Sequence, residues 1–269
     1  MFVFRSIKKL LFVNRVLFLL IFVFFTCTGV AEKGAGATQN SSDRIAFDDS
    51  VFDELERKWI SSSYFDKGMN YKNSRLEVVS FSGLLNSYGV SDEIDAILLN
   101  CADDYQGIVS VEDVRRYDLQ LATKIELRQG EDRPGWLQPL LIVVPDYTRP
   151  PFMERFLTAH INELRFVRLA DYYAPLSKVA QKGAIAKLGL KVLKDNCLFC
   201  HSINNMGGNK GGSLLAKFDF MLDKEKRRFK EAFLVKHGQD SVEKQNTKQF
   251  VTDSHLDALL KFMSVMIKG

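Results

Sequence analysis

Two thiols and an imidazole stand within five residues, Cys197-Leu198-Phe199-Cys200-His201. The spacing C-x-x-C-H is the attachment signal of a c-type haem. The chemistry explains the spacing. Two thiols add across the two vinyl groups of the porphyrin and fix it covalently, and the next residue, His201, lies under the iron as proximal ligand. Bare C-x-x-C has two rivals, a zinc site and a thioredoxin-like redox pair. A four-ligand zinc site needs a second Cys or His pair. The other candidates are Cys27, Cys101, His160, His237 and His255, and none of them pairs at zinc-like spacing. A thioredoxin-like pair opens a helix after a strand, whereas here a helical pattern precedes the motif. Cys197, Cys200 and His201 are therefore the candidate cofactor site, for one covalent haem c.

The flanks must position this motif. Residues Lys178 to Asn196 lead straight into it, and Ile185, Leu188 and Val192 recur at helical spacing. Glycines 207, 208, 211 and 212 follow it, where the backbone can pass close to the edge of a flat ligand. Near the end of the chain Thr252 can cap a last helix, and Asp253 favours its first turn. Leu256, Leu259, Leu260, Met263 and Ile267 then line one face of that helix. Together, residues from about 178 to 269 resemble a class I cytochrome c domain. The resemblance implies an all-α domain whose first and last helices cross beside the haem. Gly189 and Phe262 stand where that family has a glycine and an aromatic at the crossing.

Two departures from the family matter. It places Gly-Pro after the haem histidine, and the proline carbonyl orients that histidine. This chain has Gly211-Gly212, whose carbonyl can accept the same hydrogen bond. The family's distal methionine lies shortly before the last helix, but that slot, Thr247-Lys248-Gln249-Phe250, holds none. Candidates for the distal ligand are Met221, His237 and Lys248. Each has a plainer role: Met221 as apolar core, His237 as an exposed helix end, Lys248 as a solvated lysine.

Residues 1–31 read as an export signal. Arg5, Lys8, Lys9 and Arg15 form its basic region, Val16 to Phe25 is an apolar run, and Gly29 and Ala31 precede a cleavage point. Cys27 follows Phe24-Phe25-Thr26, a poor setting for lipidation. Uncleaved, the stretch from Leu10 to Val30 would instead be a membrane anchor. Export suits the haem motif, because c-type haem is attached outside the cytoplasm; the expected location is periplasmic. The full chain carries 37 basic and 33 acidic residues. Beyond the signal they balance, but unevenly: residues 178–269 hold 17 basic and 9 acidic, and residues 32–177 hold 16 and 24. The basic residues do not alternate with aromatics, so nucleic acid is not an expected partner. The run Lys224 to Lys230 reads as a solvated helix face, with a docking patch for a redox partner protein as the functional alternative.

Residues 32–46 read as a flexible tether, 47–175 as one domain and 176–269 as the monohaem domain. In the middle segment strands are expected at Arg75–Phe81, Ile94–Asn100, Gly107–Val111, Leu140–Val144 and Leu164–Leu169, with helices at Ser82–Tyr88, from Glu112, and at Phe152–Ile161. The order Leu98-Leu99-Asn100-Cys101-Ala102-Asp103-Asp104-Tyr105, then Ile142-Val143-Val144-Pro145, then Leu164-Arg165-Phe166-Val167-Arg168 resembles the molybdopterin-binding domain of the sulfite oxidase type. That resemblance implies an α+β fold with a mixed sheet and helices. The family holds molybdenum through a cysteine well before this turn, and the mature chain has no cysteine before Cys101. Cys101 itself ends a buried strand, the place of a small apolar core residue. Molybdopterin is therefore not expected. The overall expectation is a one-electron carrier with a docking or scaffold module. Its rivals are a molybdopterin-dependent oxidoreductase with a built-in cytochrome and a haem-based ligand sensor.

Overall fold

Strands distant in the chain pair with one another. The protein is described here by a computed structural model covering residues 43–237 and 251–268. Strand β1 (Arg44–Ala46) is followed by β2 (Lys58–Ile60), helix α1 (Ser63–Met69), β3 (Arg75–Ser80) and α2 (Phe81–Ser87). Next come β4 (Ala96–Cys101), β5 (Gln106–Ser110), α3 (Val111–Arg116), β6 (Gln120–Glu126), β7 (Leu141–Val143) and β8 (Ile161–Val167). They form two four-stranded sheets, in the orders β1-β8-β4-β5 and β2-β3-β6-β7. Every pairing within the two is antiparallel. Side chains alternate across each strand, so each sheet can offer one apolar face to a shared core. Ile97, Leu99, Val109 and Leu164 of the first sheet join Val79, Leu121 and Ile142 of the second in one buried cluster. The far face of the second sheet carries Leu76, Val78 and Val143 over Phe65 of α1.

The remaining chain adds α4 (Leu169–Tyr172), α5 (Ala174–Ala180), α6 (Ala184–Asn196), β9 (His201–Ile203), β10 (Met206–Gly207), β11 (Gly212–Ser213), α7 (Leu214–Lys217), α8 (Asp223–His237) and α9 (Asp253–Lys268). Helices α6 and α9 cross at Gly189. A Cβ there would stand 2.2 Å from the Ala258 carbonyl oxygen and 2.6 Å from Cβ of Phe262. Only a hydrogen leaves room for that approach. Helix α9 begins as expected, with His255 N–H donating to Oγ1 of Thr252.

The architecture overturns the expectation of a mixed, sulfite-oxidase-like sheet followed by an all-α domain. A parallel pair needs a crossover of about a dozen residues or more, whereas an antiparallel pair needs only a tight turn. The connection from β4 to β5 is such a turn, with Asp104 at φ +69°. In the C-terminal part, Asn204 and Asn205 both take positive φ, +49° and +62°. That is what a two-residue hairpin turn requires, and it pairs β9 with β10. Strand β11 joins the other edge of β9 in parallel. The helices around the motif thus enclose a small three-stranded sheet, and both halves of the chain mix α with β.

Other expectations differ locally. The helix expected over residues 152–161 shrinks to one 3-10 turn, Glu154–Leu157, because β8 already starts at Ile161. The lead-in helix is broken at Gly183, φ +147°. Of its expected apolar stripe Val192 is buried, whereas Ile185 and Leu188 are 60% and 39% exposed and Ala186, Gly189, Leu190 and Leu193 are buried instead. At the crossing itself the close approach brings together small residues, Gly189 of α6 and Ala258 of α9. Residues 1–31 lie outside the described residues, as does the expected tether except at its end, where Arg44–Ala46 pairs with β8. Among the described residues no helix is long and apolar enough to cross a membrane.

Candidate functional site

The motif turn is built from backbone hydrogen bonds continuing α6. Cys197 N–H donates to the Leu193 carbonyl at 3.0 Å, and His201 N–H to the Cys197 carbonyl at 2.8 Å. Gly208 N–H closes on the Leu198 carbonyl at 2.8 Å and Gly211 N–H on the Cys200 carbonyl at 2.7 Å. Leu193 and Leu198, both buried, anchor the turn in the helical core. Cys197 and Cys200 are thiols, not a disulfide. Burial, helped by the neighbouring Cys200 and Asp195, pushes the Cys197 thiol up to about 12, so it rests as S–H.

His201 is oriented by the two glycines that follow. Its Nδ1 lies 3.0 Å from the Gly212 carbonyl oxygen. A carbonyl only accepts, so Nδ1 carries the proton and Nε2 the lone pair that a metal takes. Gly211 lies flat against the ring: a Cβ there would come within 2.3 Å of Cε1 and 2.5 Å of Nδ1. The parallel pairing of Gly212 with His201 holds this register. The Lys217 ammonium donates to the Gly211 carbonyl and braces the same loop.

Beside this turn opens a cavity of about 350 Å³. Cys197 and His201 form part of its wall, with Leu214, Phe218, Phe229 and Phe233 as its apolar lining. His237 lines it too, its ring 6.1 Å from that of His201, centroid to centroid. Phe233 stacks on His237 at 5.0 Å with a 9° tilt. Three cations, Lys217, Arg228 and Lys236, also line it. Arg228 is held over the Phe218 ring at 4.9 Å and donates to the Lys217 carbonyl at 2.7 Å.

These residues fit a haem. An iron that draws four ligands from a porphyrin needs only one or two from the protein, and a flat apolar ring with two carboxylates suits an aromatic cavity edged by cations. A bare metal ion is a different demand: among the described residues no group of three or more His, Cys, Asp or Glu could hold one.

The three candidate distal ligands part company. His237 lines the cavity, half-buried, and is not the exposed helix end expected of it. Met221 is 38% exposed, away from that wall, its N–H on the Asp219 carboxylate. Lys248 and the slot around Thr247 lie outside the described residues. Cys101 is part of the core shared by the two sheets, and burial, with Asp103 nearby, pushes its thiol up to about 12.

Sequence reasoning missed the residues that join the motif to the sheets. Gln106 N–H, at the head of β5, donates to the Phe199 carbonyl at 3.0 Å. Oε1 of Gln106 accepts from the Tyr172 hydroxyl at 2.6 Å and from Gly207 N–H at 3.2 Å. Its Nε2 donates to Asn100, whose amide donates to Glu163 at 2.6 Å. Tyr105 stacks on Phe199 at 5.0 Å, and the Asp104 carbonyl accepts from Asn209 and Lys210 N–H. The ion pairs among the described residues fall inside 43–177 or inside 178–268. Backbone hydrogen bonds, the Gln106 and Tyr172 side chains and the Tyr105–Phe199 stack make this contact. No protein-family model, curated protein or solved structure matches the chain.

Proposed function

We propose that the chain binds one haem c covalently through Cys197 and Cys200, with His201 as proximal iron ligand, and carries single electrons to and from a redox partner protein. The observation that carries this reading is the Nδ1–H of His201 on the Gly212 carbonyl at 3.0 Å, beside a C-x-x-C turn that opens on an aromatic cavity. Cys197 and Cys200 would hold the group as thioethers, each S–H adding across one vinyl double bond with its hydrogen passing to the neighbouring carbon and no electrons lost. Bound there, the haem supplies a one-electron Fe(III)/Fe(II) couple.

The chain's own residues do the rest. The Gly212 carbonyl fixes the imidazole tautomer and raises its basicity. Phe218, Phe229 and Phe233 keep water off the cavity, and Lys217 and Arg228 offer charge to the porphyrin carboxylates. Lys224 and Arg227, both exposed on α8, suit an acidic face on the partner. Export of the chain belongs to the same reading, through residues 1–31, with membrane anchoring if that segment is retained.

The test is electrophoresis of the full exported chain under denaturing conditions, stained for haem. One covalent haem per chain is expected, lost in the Cys197→Ser/Cys200→Ser double variant. Staining that persists in the double variant would overturn the assignment.

A further inference from the structure

We infer that His237 is the second axial ligand of the iron, so that the site is a bis-histidine haem. The inference rests on the haem reading above and adds to it the residue opposite His201.

Geometry is the first argument. Two imidazoles sharing one metal, each bound at about 2.0 Å, have ring centroids about 6 Å apart. The rings of His201 and His237 stand 6.1 Å apart across one cavity. The His201–His237 spacing matches that of two imidazoles on one metal, and both rings face the same cavity.

Rigidity is the second argument. His237 lies one helical turn after Phe233 on α8, and Phe229 and Phe233 are the buried residues of that helix. Phe229 is locked edge-to-face against Phe218 at 5.2 Å and against Phe220 at 5.4 Å. Phe233 presses its face on the His237 ring. The second imidazole is therefore held by the same aromatic cluster that lines the cavity. Neighbouring cations do not compete on equal terms: protonated Lys217 and Lys236 have no lone pair to give.

The experiment uses the full exported chain carrying its haem, read by visible and electron paramagnetic resonance spectra and by carbon monoxide binding to the reduced form. The wild type should be low-spin in the ferric state, lack the sulfur-to-iron charge-transfer band of methionine ligation, and resist carbon monoxide. His237→Ala should keep its haem stain, turn high-spin and bind carbon monoxide; added imidazole should restore the low-spin spectrum. His237→Met should gain the sulfur-to-iron band and a higher potential, since methionine ligation raises it. A wild type that is already high-spin, or a His237→Ala variant with the wild-type spectrum, would overturn the inference while leaving covalent haem intact. A wild type without covalent haem would overturn both. If His237→Ala fails to accumulate, the wild-type spectra and His237→Met still decide.

Discussion

The Gln106 amide at the head of β5 donates to the carbonyl of Phe199, the residue just before the second motif cysteine. The same residue's side chain accepts from the Tyr172 hydroxyl and the Gly207 amide. The first sheet thus forms a wall behind the C-x-x-C-H turn. Replacing Gln106 by leucine keeps the volume and removes the acceptor. The Tyr172 O–H then loses its acceptor, which costs about 1–3 kcal/mol, while Gly207 N–H keeps the Tyr172 hydroxyl oxygen at 3.1 Å. Urea unfolding of Gln106→Leu should show that loss, with the haem stain unchanged. Wild-type stability in the variant would mean that water replaces the side chain at no cost.

Gly211 controls the proximal ring by having no side chain. A Cβ there would fall 2.3 Å from Cε1 of His201, with no flexible side-chain end to yield, so the imidazole must rotate or the loop must lift. Gly211→Ala should retain covalent haem but lengthen or break the His201 bond to Gly212, and cost about 1–3 kcal/mol. Its ferric spectrum should gain a high-spin fraction. Gly135→Ala is the control: a Cβ there meets nothing within 4 Å. Its stability should stay within about 0.5 kcal/mol of wild type.

How much of this was legible depends on the range of the interaction. The C-x-x-C-H spacing, the glycine at the α6–α9 crossing and the Thr252 cap are local signals, and the sequence carries them openly. The strands Arg75–Ser80 and Ala96–Cys101 are long enough for their apolar pattern to be read. The hairpin Ile203-Asn204-Asn205-Met206 also had a signal, two adjacent residues that tolerate positive φ, and reading it would have removed the all-α expectation. Three-residue strands such as Lys58–Ile60 carry too little alternation to detect. The Gln106 contacts join residues 66 and 101 positions apart, and no local pattern announces them. His237 was visible only as a candidate; its place beside His201 comes from the packing of α8.

Thiol chemistry gives a prediction independent of spectra. The proposed covalent attachment would consume Cys197 and Cys200, while Cys101 remains a thiol in the core, 8% exposed. Burial holds it up to about 12, so little thiolate forms in the folded protein near neutral pH. A maleimide or disulfide reagent should leave Cys101, Cys197 and Cys200 unmodified in the native holoprotein. After denaturation, peptide mapping should find Cys101 modified and Cys197 and Cys200 not. Modification of the motif cysteines would mean that the thioethers are absent. Modification of Cys101 in the native state would mean that the core opens there. The sign for stability follows: the folded value lies above the ordinary 9.0, so the contribution of the buried thiol is complete below that pH and is lost as pH rises towards 12.

Acid should act at a different place, Glu77 in the second sheet. Its carboxylate is 8% exposed and accepts from Lys124 Nζ at 3.0 Å and Thr123 Oγ1 at 2.8 Å, with Arg57 at 3.8 Å. The hydrogen bond from Lys124, then that from Thr123, holds it below the ordinary 4.5, outweighing the opposing effect of burial. A carboxylate with a lowered folded value stabilises the protein above its unfolded value. That contribution is lost as pH falls through the folded one. Glu77→Gln keeps the shape and removes the charge. At neutral pH it should cost about 1–2 kcal/mol, because Lys124 and Arg57 are largely solvated and screen the pair. The gap between wild type and variant should then narrow as the pH drops below 4.5 and close at the acid end. Urea midpoints measured for both proteins at about pH 7, 5 and 3 check this. A gap that stays constant across the series would show that the glutamate acts through packing and not through its charge.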